Sequence, residues 1–233
     1  MVDNGSTDGS YEMLQQQYSP KEVTVIRNAR NGCSSGRNLG VAQTEREYIL
    51  FLDSDQWAIS PYWLRAYENA MERAESWGAI GWGAGFFDRA GRSSRTVDEF
   101  RLRYMPVQYL CRSNIGYLAT DGVLMRREDF LAVDGFDEAY DPTCYEDTDL
   151  ALKIRHYGKE LYYCPYLGVI HLPHQTTKAG SGAHTTLTNQ KYEYFVKKWK
   201  EKNPEFIDGV KLYFSGNSTY ILLYYFIFSM KAP

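Results

Sequence analysis

The chain has no block of basic residues. Its 26 Lys and Arg face 29 Asp and Glu over 233 residues, for a formal net charge of −3. A nucleic-acid surface needs a basic stripe or patch, so that class is set aside. Cysteine is scarce, and Cys33, Cys111, Cys144 and Cys164 form neither a C-x-x-C pair nor a zinc-ligand spacing. Reduced thiols in a cytoplasmic protein are the reading that remains. No signal peptide opens the sequence, so the sequons at Asn4 and Asn217 read as chance. No apolar run reaches the about 20 residues that a spanning helix needs. The longest, residues 220–230 (YILLYYFIFSM), reads as a core element. An interfacial anchor, or the start of a longer segment, stays open for it. Internal repeats and low-complexity linkers are also missing.

Aromatic residues, by contrast, are plentiful: 20 Tyr, 11 Phe and 5 Trp. They suit sugar faces, but also ordinary packing. The length fits one large domain or two small ones with a substantial core.

The most informative stretch is Tyr48-Ile49-Leu50-Phe51-Leu52-Asp53-Ser54-Asp55. Its apolar part reads as a buried strand. Two acids one residue apart at a strand's carboxyl end repel each other unless a positive charge joins them. A hard divalent cation with phosphate ligands meets that need, because Mg²⁺ and Mn²⁺ prefer carboxylate oxygens. Asp-x-Asp alone is a weak pattern, and Asp147-Thr148-Asp149 repeats it on an expected helix.

Along the chain, strands and helices alternate. Residues 1–9 read as a strand tail and turn. A helix is expected over 10–18, a strand over 23–27, a helix over 35–43 and a strand ending at Leu52. Ser60 and Pro61 predict a helix over 61–77 as its N-cap and first residue. Strands are expected over 79–87 and 118–126, with loop over 88–108 between them. A short helix over 127–133 and a helix over 146–157 stopping at Gly158 come next. Strands over 161–164 and 168–171, a mobile stretch over 176–188 and a polar, Lys-rich helix over 189–203 complete the reading. This pattern implies an α/β sheet with helices on both faces. In such sheets ligands bind beyond the strands' carboxyl ends, where Asp3 and Asp53 both lie.

Four segments in order carry a family resemblance: Val2-Asp3-Asn4-Gly5-Ser6-Thr7-Asp8; Asn31-Gly32 with Gly36-Arg37-Asn38-Leu39-Gly40; Asp53-Ser54-Asp55; and Gly135-Phe136-Asp137-Glu138 leading to Glu146-Asp147-Thr148-Asp149-Leu150. Over about residues 2–174 the chain resembles the GT-A fold glycosyltransferases of family 2, which include builders of bacterial surface polysaccharides. The resemblance implies a GT-A (Rossmann-like) α/β fold, a mixed sheet flanked by helices. It implies a donor half over about 1–88 and an acceptor half over about 89–175, forming a catalytic domain over 1–175. Residues 176–233 would follow as loop, helix and apolar segment. The family pattern opens with a further β-α unit of about 30–40 residues. The resemblance therefore implies an N-terminally truncated sheet with weakened donor binding.

By the same resemblance, Asp3 contacts the nucleoside, and Arg37 lies near the base and diphosphate. Asp53 and Asp55 hold the ribose and the metal-bound diphosphate. Asp147 is the base, with Glu146 next, and His171 completes the Mn²⁺ or Mg²⁺ shell, with His174 competing. The implied reaction is single-displacement, inverting transfer from a nucleoside diphosphate sugar, a UDP-sugar first, to a glycan or lipid-linked acceptor. Asp121 stands where acceptor contacts are made. Simpler roles stay open: Asp3 as a turn former, Arg37 as a surface residue, His171 as a core histidine, and the acids at 146–149 as helix-dipole partners. A non-catalytic sugar-nucleotide-binding or scaffold protein is the alternative function; a nucleotidyltransferase is a third, for which no Gly-rich basic loop is present. The expected place is the cytoplasm or the inner face of its membrane, with peripheral association and a homo-oligomer left open.

Overall fold

In the computed structural model, residues 1–85, 115–164, 167–171 and 182–202 are described. The centre is a four-stranded sheet of β3 (Tyr48–Phe51), β8 (Val123–Arg126), β5 (Trp77–Gly81) and β9 (Glu160–Tyr163), in the order β3-β8-β5-β9. β8 runs antiparallel to both neighbours, while β5 and β9 are parallel, so the sheet is mixed as expected. Three two-stranded pairs surround it. β1 (Val2–Asp3) lies parallel to β2 (Ile26–Arg27), β4 (Gln56–Ala58) antiparallel to β10 (Val169–His171), and β6 (Ala84–Gly85) antiparallel to β7 (Tyr117–Leu118).

Alternation along the strands builds two cores. Ile49, Phe51, Val123 and Met125 face one side, packing with Phe130, Phe136, Leu150 and Ile154. Leu124 and Ile80 face the other, packing with Tyr67 and Ala70 of α3 (Trp63–Arg73). In β3, Ile49 and Phe51 are buried on one face, while on the other Leu50 is partly buried and Tyr48 is exposed.

α1 (Ser10–Gln17) connects β1 to β2. α2 (Cys33–Ala42) packs on β1 through Gly36 and Gly40; a Cβ at these positions would meet the Asn4 amide and the Val2 side chain. α4 (Arg127–Ala132) follows β8, a single 3₁₀ turn spans Glu138–Tyr140, and α5 (Glu146–His156) leads into β9.

Several expected elements are shorter or different. The strand over 23–27 shrinks to β2. The helix over 61–77 is confined to α3. Ser60 closes a turn ahead of it, accepting from Trp63 N at its carbonyl (3.2 Å) and from Tyr62 N at its hydroxyl (3.2 Å). Beyond it, Ser76 takes φ 49° and Trp77 is buried in β5. The strand over 118–126 is split into β7 and β8 by a turn at Gly122, whose φ of +80° suits glycine. Residues 182–188, expected as mobile, open α6 (Gly182–Lys202). His174, Cys111, residues 88–108, 176–181 and the apolar run 220–230 lie outside the described residues.

α6 is not polar all round. Tyr192, Phe195, Val196 and Trp199 follow helical spacing and join the first core, with Phe195 and Trp199 buried. Asp149 of α5, fully buried, docks this helix. Its carboxylate accepts from Trp199 Nε1 (2.8 Å), Tyr140 Oη (3.2 Å) and Lys198 Nζ (2.9 Å). Removing one member of a buried ion pair strands the other charge. Lys198→Met leaves buried Asp149 only the longer cation contact to Lys153 (3.8 Å) and also removes the bond to Asp137 (2.6 Å), so it is expected to cost about 3–5 kcal/mol in urea unfolding. A loss below about 1 kcal/mol, the level of an exposed pair, would contradict this role for Asp149.

Candidate active site

The site lies beyond the carboxyl end of β3. The chain turns there: Gln56 N donates to the Asp53 carbonyl (3.2 Å) and Asp53 N to Gln56 Oε1 (2.7 Å). The turn presents Asp53 and Asp55, then leads into β4. In the β4–β10 register His171 stands opposite Gln56. Strand pairing thus carries an imidazole from 116 positions later in the chain to the Asp-Ser-Asp turn (171 − 55). One ligand atom each from Asp53, Asp55 and His171 falls within 4.8 Å of the others. In an octahedral shell with ligands at 2.0–2.1 Å, neighbouring atoms are about 3 Å apart and opposite ones about 4 Å. Two carboxylates and one imidazole are a donor set for Mn²⁺ or Mg²⁺.

His171 touches acids on both sides. Nε2 is 3.3 Å from Asp55 Oδ1, and Nδ1 is 3.1 Å from Asp121 Oδ2. The Asp121 hydrogen bond outweighs partial burial and pushes the proton affinity of His171 up. The rings of Trp82 and His171 meet at 74°, with centres 6.4 Å apart. Trp82 is buried and Trp57 exposed.

A second acidic group faces the first across Arg37. The guanidinium donates to Asp53 Oδ1 (2.9 Å) and Glu146 Oε1 (3.4 Å), and lies over the Phe136 ring at 5.6 Å. Burial opposes its charge, but Asp53 and Glu146 more than offset that, so it is held protonated more firmly than a free guanidinium. Arg37 is therefore a link between acids, not a surface helix residue. Burial raises the Glu146 carboxyl above the usual range, with Arg37 opposing. Burial, followed by the neighbouring Glu146 charge, pushes Asp147 up to about 8. Its Oδ1 accepts from Thr148 N at 2.7 Å.

The backbone entering this pair is strained. Cys144 and Tyr145 both have left-handed φ (81° and 69°), at a cost of the order of 1–3 kcal/mol each. Such strain sets the direction in which Glu146 and Asp147 leave the helix end. The nearby thiols are not activated, since burial pushes both Cys33 and Cys144 up.

Asp3, buried at the end of β1, accepts from the backbone N–H of Gly5 (3.1 Å) and Ser6 (3.2 Å). Its carboxylate shapes the turn, the simpler of its two expected roles. Asp149 points away from the site into the α6 contact. Two positioning residues carried no motif. Gln56 closes the Asp-Ser-Asp turn, and Asp141 Oδ1 accepts from Ser34 N (2.8 Å) at the start of α2, the helix carrying Arg37. The buried side of α5 was legible for Asp149, which shares a face with Tyr145 and Leu152.

The fold is that of the GT-A glycosyltransferases. GalNAc-T7 with UDP, GalNAc and Mn²⁺ superposes with a TM-score of 0.56 at 17% identity, over 73% of this chain and 36% of that one. The mannosyltransferase PcManGT from Pyrobaculum calidifontis, in complex with GDP-Man and Mn²⁺, gives 0.54 at 17% identity, over 81% of this chain and 50% of that one. The Glycosyl transferase family 2 model matches residues 1–133, and the chain belongs to that family. It is 26% identical over 221 residues to the uncharacterized protein y4gI of Sinorhizobium fredii (strain NBRC 101917 / NGR234), covering 86% of this chain and 24% of y4gI. The chain thus spans about a quarter of that curated relative's length. No helix among the described residues is long and apolar enough to cross a membrane.

Arg37→Gln is expected to lower the melting temperature more at pH 8 than at pH 5. Without the guanidinium, folded Glu146 holds its proton to higher pH than in wild type, where burial already lifts it above the unfolded value near 4.3. Stability then falls as pH rises above that value. A gap from wild type that stays level or narrows with pH would contradict the bridge.

Proposed function

We propose that this chain transfers a sugar from a nucleoside diphosphate sugar to a hydroxyl of a glycan or lipid-linked acceptor, with inversion in one displacement. The observation that carries the reading is the convergence of Asp53, Asp55 and His171 within 4.8 Å, linked through Arg37 to Glu146, the chain neighbour of Asp147. Asp53, Asp55 and His171 would hold Mn²⁺ or Mg²⁺, which when bound stabilises the negative charge of the departing diphosphate. The two GT-A structures, solved with Mn²⁺ and with UDP or a GDP-sugar, support this donor class, and a UDP-sugar is the first to test.

The chain's own residues supply the rest. Asp3 holds the turn after β1 against which the nucleoside would rest. Arg37 spreads its charge over Asp53 and Glu146, so that Asp53 stays oriented toward the diphosphate side. Asp147 accepts the acceptor hydroxyl's proton as the new bond forms, a step worth about 10²–10⁴-fold. Its raised proton affinity brings its working range toward neutral pH. A base acts when ionised, so turnover should rise from pH 6 to pH 8.

The Asp147 carboxyl also lowers stability as pH rises, because the folded state holds its proton more tightly than the unfolded one. Asp147→Asn is expected to cut Mn²⁺-dependent cleavage of UDP- or GDP-sugar at least about 100-fold. It should leave nucleotide binding intact and raise the melting temperature at pH 8. Near wild-type turnover would remove Asp147 as base. In the parallel control, Asp53→Asn/Asp55→Asn should abolish the Mn²⁺-dependent thermal shift with UDP or GDP. Binding without turnover in the wild-type chain would favour a sugar-nucleotide-binding protein instead.

A further inference from the structure

Asp121 stands outside the three-residue cluster, yet it makes the shorter of the two acid contacts to His171. The backbone around it is fixed from two sides. Gly122 N donates to the Phe51 carbonyl (2.8 Å), and Tyr67 Oη donates to the Gly122 carbonyl (2.7 Å). The carboxylate is buried and packed against Gly83, where an added Cβ would come within 3.0 Å of Asp121 Oδ1. Little room is left for it to rotate.

We propose that Asp121 is a positioning residue for the metal site, accepting the Nδ1–H of His171 so that Nε2 is the nitrogen turned toward Asp55 and a divalent cation. This rests on the metal reading above. An imidazole can ligate through either nitrogen, and the partner of the other nitrogen decides which. A carboxylate partner also makes the ring a better donor, and losing such a partner typically costs 10–100-fold in metal affinity. The contact also gives Asp121 a task other than touching the acceptor. Its carboxylate faces the ring of His171, and that ring faces Asp55.

The test is Mn²⁺ titration of the chain by EPR, alone and with UDP or GDP, for wild type, Asp121→Asn and Asp121→Ala, with circular dichroism as the folding check. Asp121→Ala should bind Mn²⁺ 10–100-fold more weakly. Asp121→Asn should fall between, because its amide oxygen still accepts one hydrogen bond. A folded Asp121→Ala within twofold of wild type would overturn the role of Asp121 and leave the metal site standing. Wild type that binds no Mn²⁺ under any condition would overturn the site and the role together. Should Asp121→Ala not fold, ¹⁵N spectra of His171 in wild type decide. Added Mg²⁺ should shift Nε2 while Nδ1 keeps its proton; a metal-induced shift at Nδ1 would overturn the proposal.

Discussion

A single guanidinium holds the site together. Arg37 reaches Asp53 beyond β3 and Glu146 at the start of α5, two groups 93 positions apart (146 − 53). Asp53, Asp55, Asp121, Glu146 and Asp147 crowd the same end of the sheet, and among the described residues the Arg37 guanidinium and the His171 imidazole touch them. Carboxylates gathered at low solvent exposure repel strongly. Their assembly is tolerable because Arg37 is locked in place by Phe136 and by the Asp141-capped start of α2, and because the remaining excess of negative charge matches a divalent cation. Burial at the same end of the sheet, followed by the Glu146 charge, raises the proton affinity of Asp147. A stability cost and a chemical capacity thus have one cause.

The support around this centre is distributed. The β4–β10 register brings in His171, and the turn at Gly122 brings in Asp121. The strained Cys144–Tyr145 backbone aims the α5 acids, and Asp149 ties α5 to α6 through Lys198 and Trp199. Each device is local, but all act on the placement of charged side chains within a few ångströms.

Much of this was legible in the sequence. The apolar run before Asp53 revealed a strand, buried at Ile49 and Phe51, and Gly158 ended α5 as read, with φ 82°. The mixed α/β architecture followed from the alternation of elements and the resemblance together. What escaped was set by tertiary contact. The resemblance grouped His171 with Asp53 and Asp55, but its contact with Asp121 depends on strand register, which no local pattern encodes. Lys198 lay within a helix read only as polar and Lys-rich, because its partners, Asp137 and Asp149, lie elsewhere in the chain. The core stripe of Tyr192, Phe195, Val196 and Trp199 had visible helical spacing, but the lysines within and around it (Lys191, Lys197, Lys198, Lys200) obscured it. At α3, Pro61 and Ser60 signalled a helix start correctly in kind and early by two residues, because Ser60 spends its groups on a turn.

The account turns on whether the acids beyond β3 are gathered to receive a cation. The most direct measurement is a crystal structure of the chain grown with Mn²⁺ and UDP, with data collected across the manganese absorption edge. The expected result is one anomalous peak within coordination distance of Asp55 and His171, with Arg37 still on Glu146. No peak there, or a peak elsewhere with His171 still bonded directly to Asp55, would contradict it.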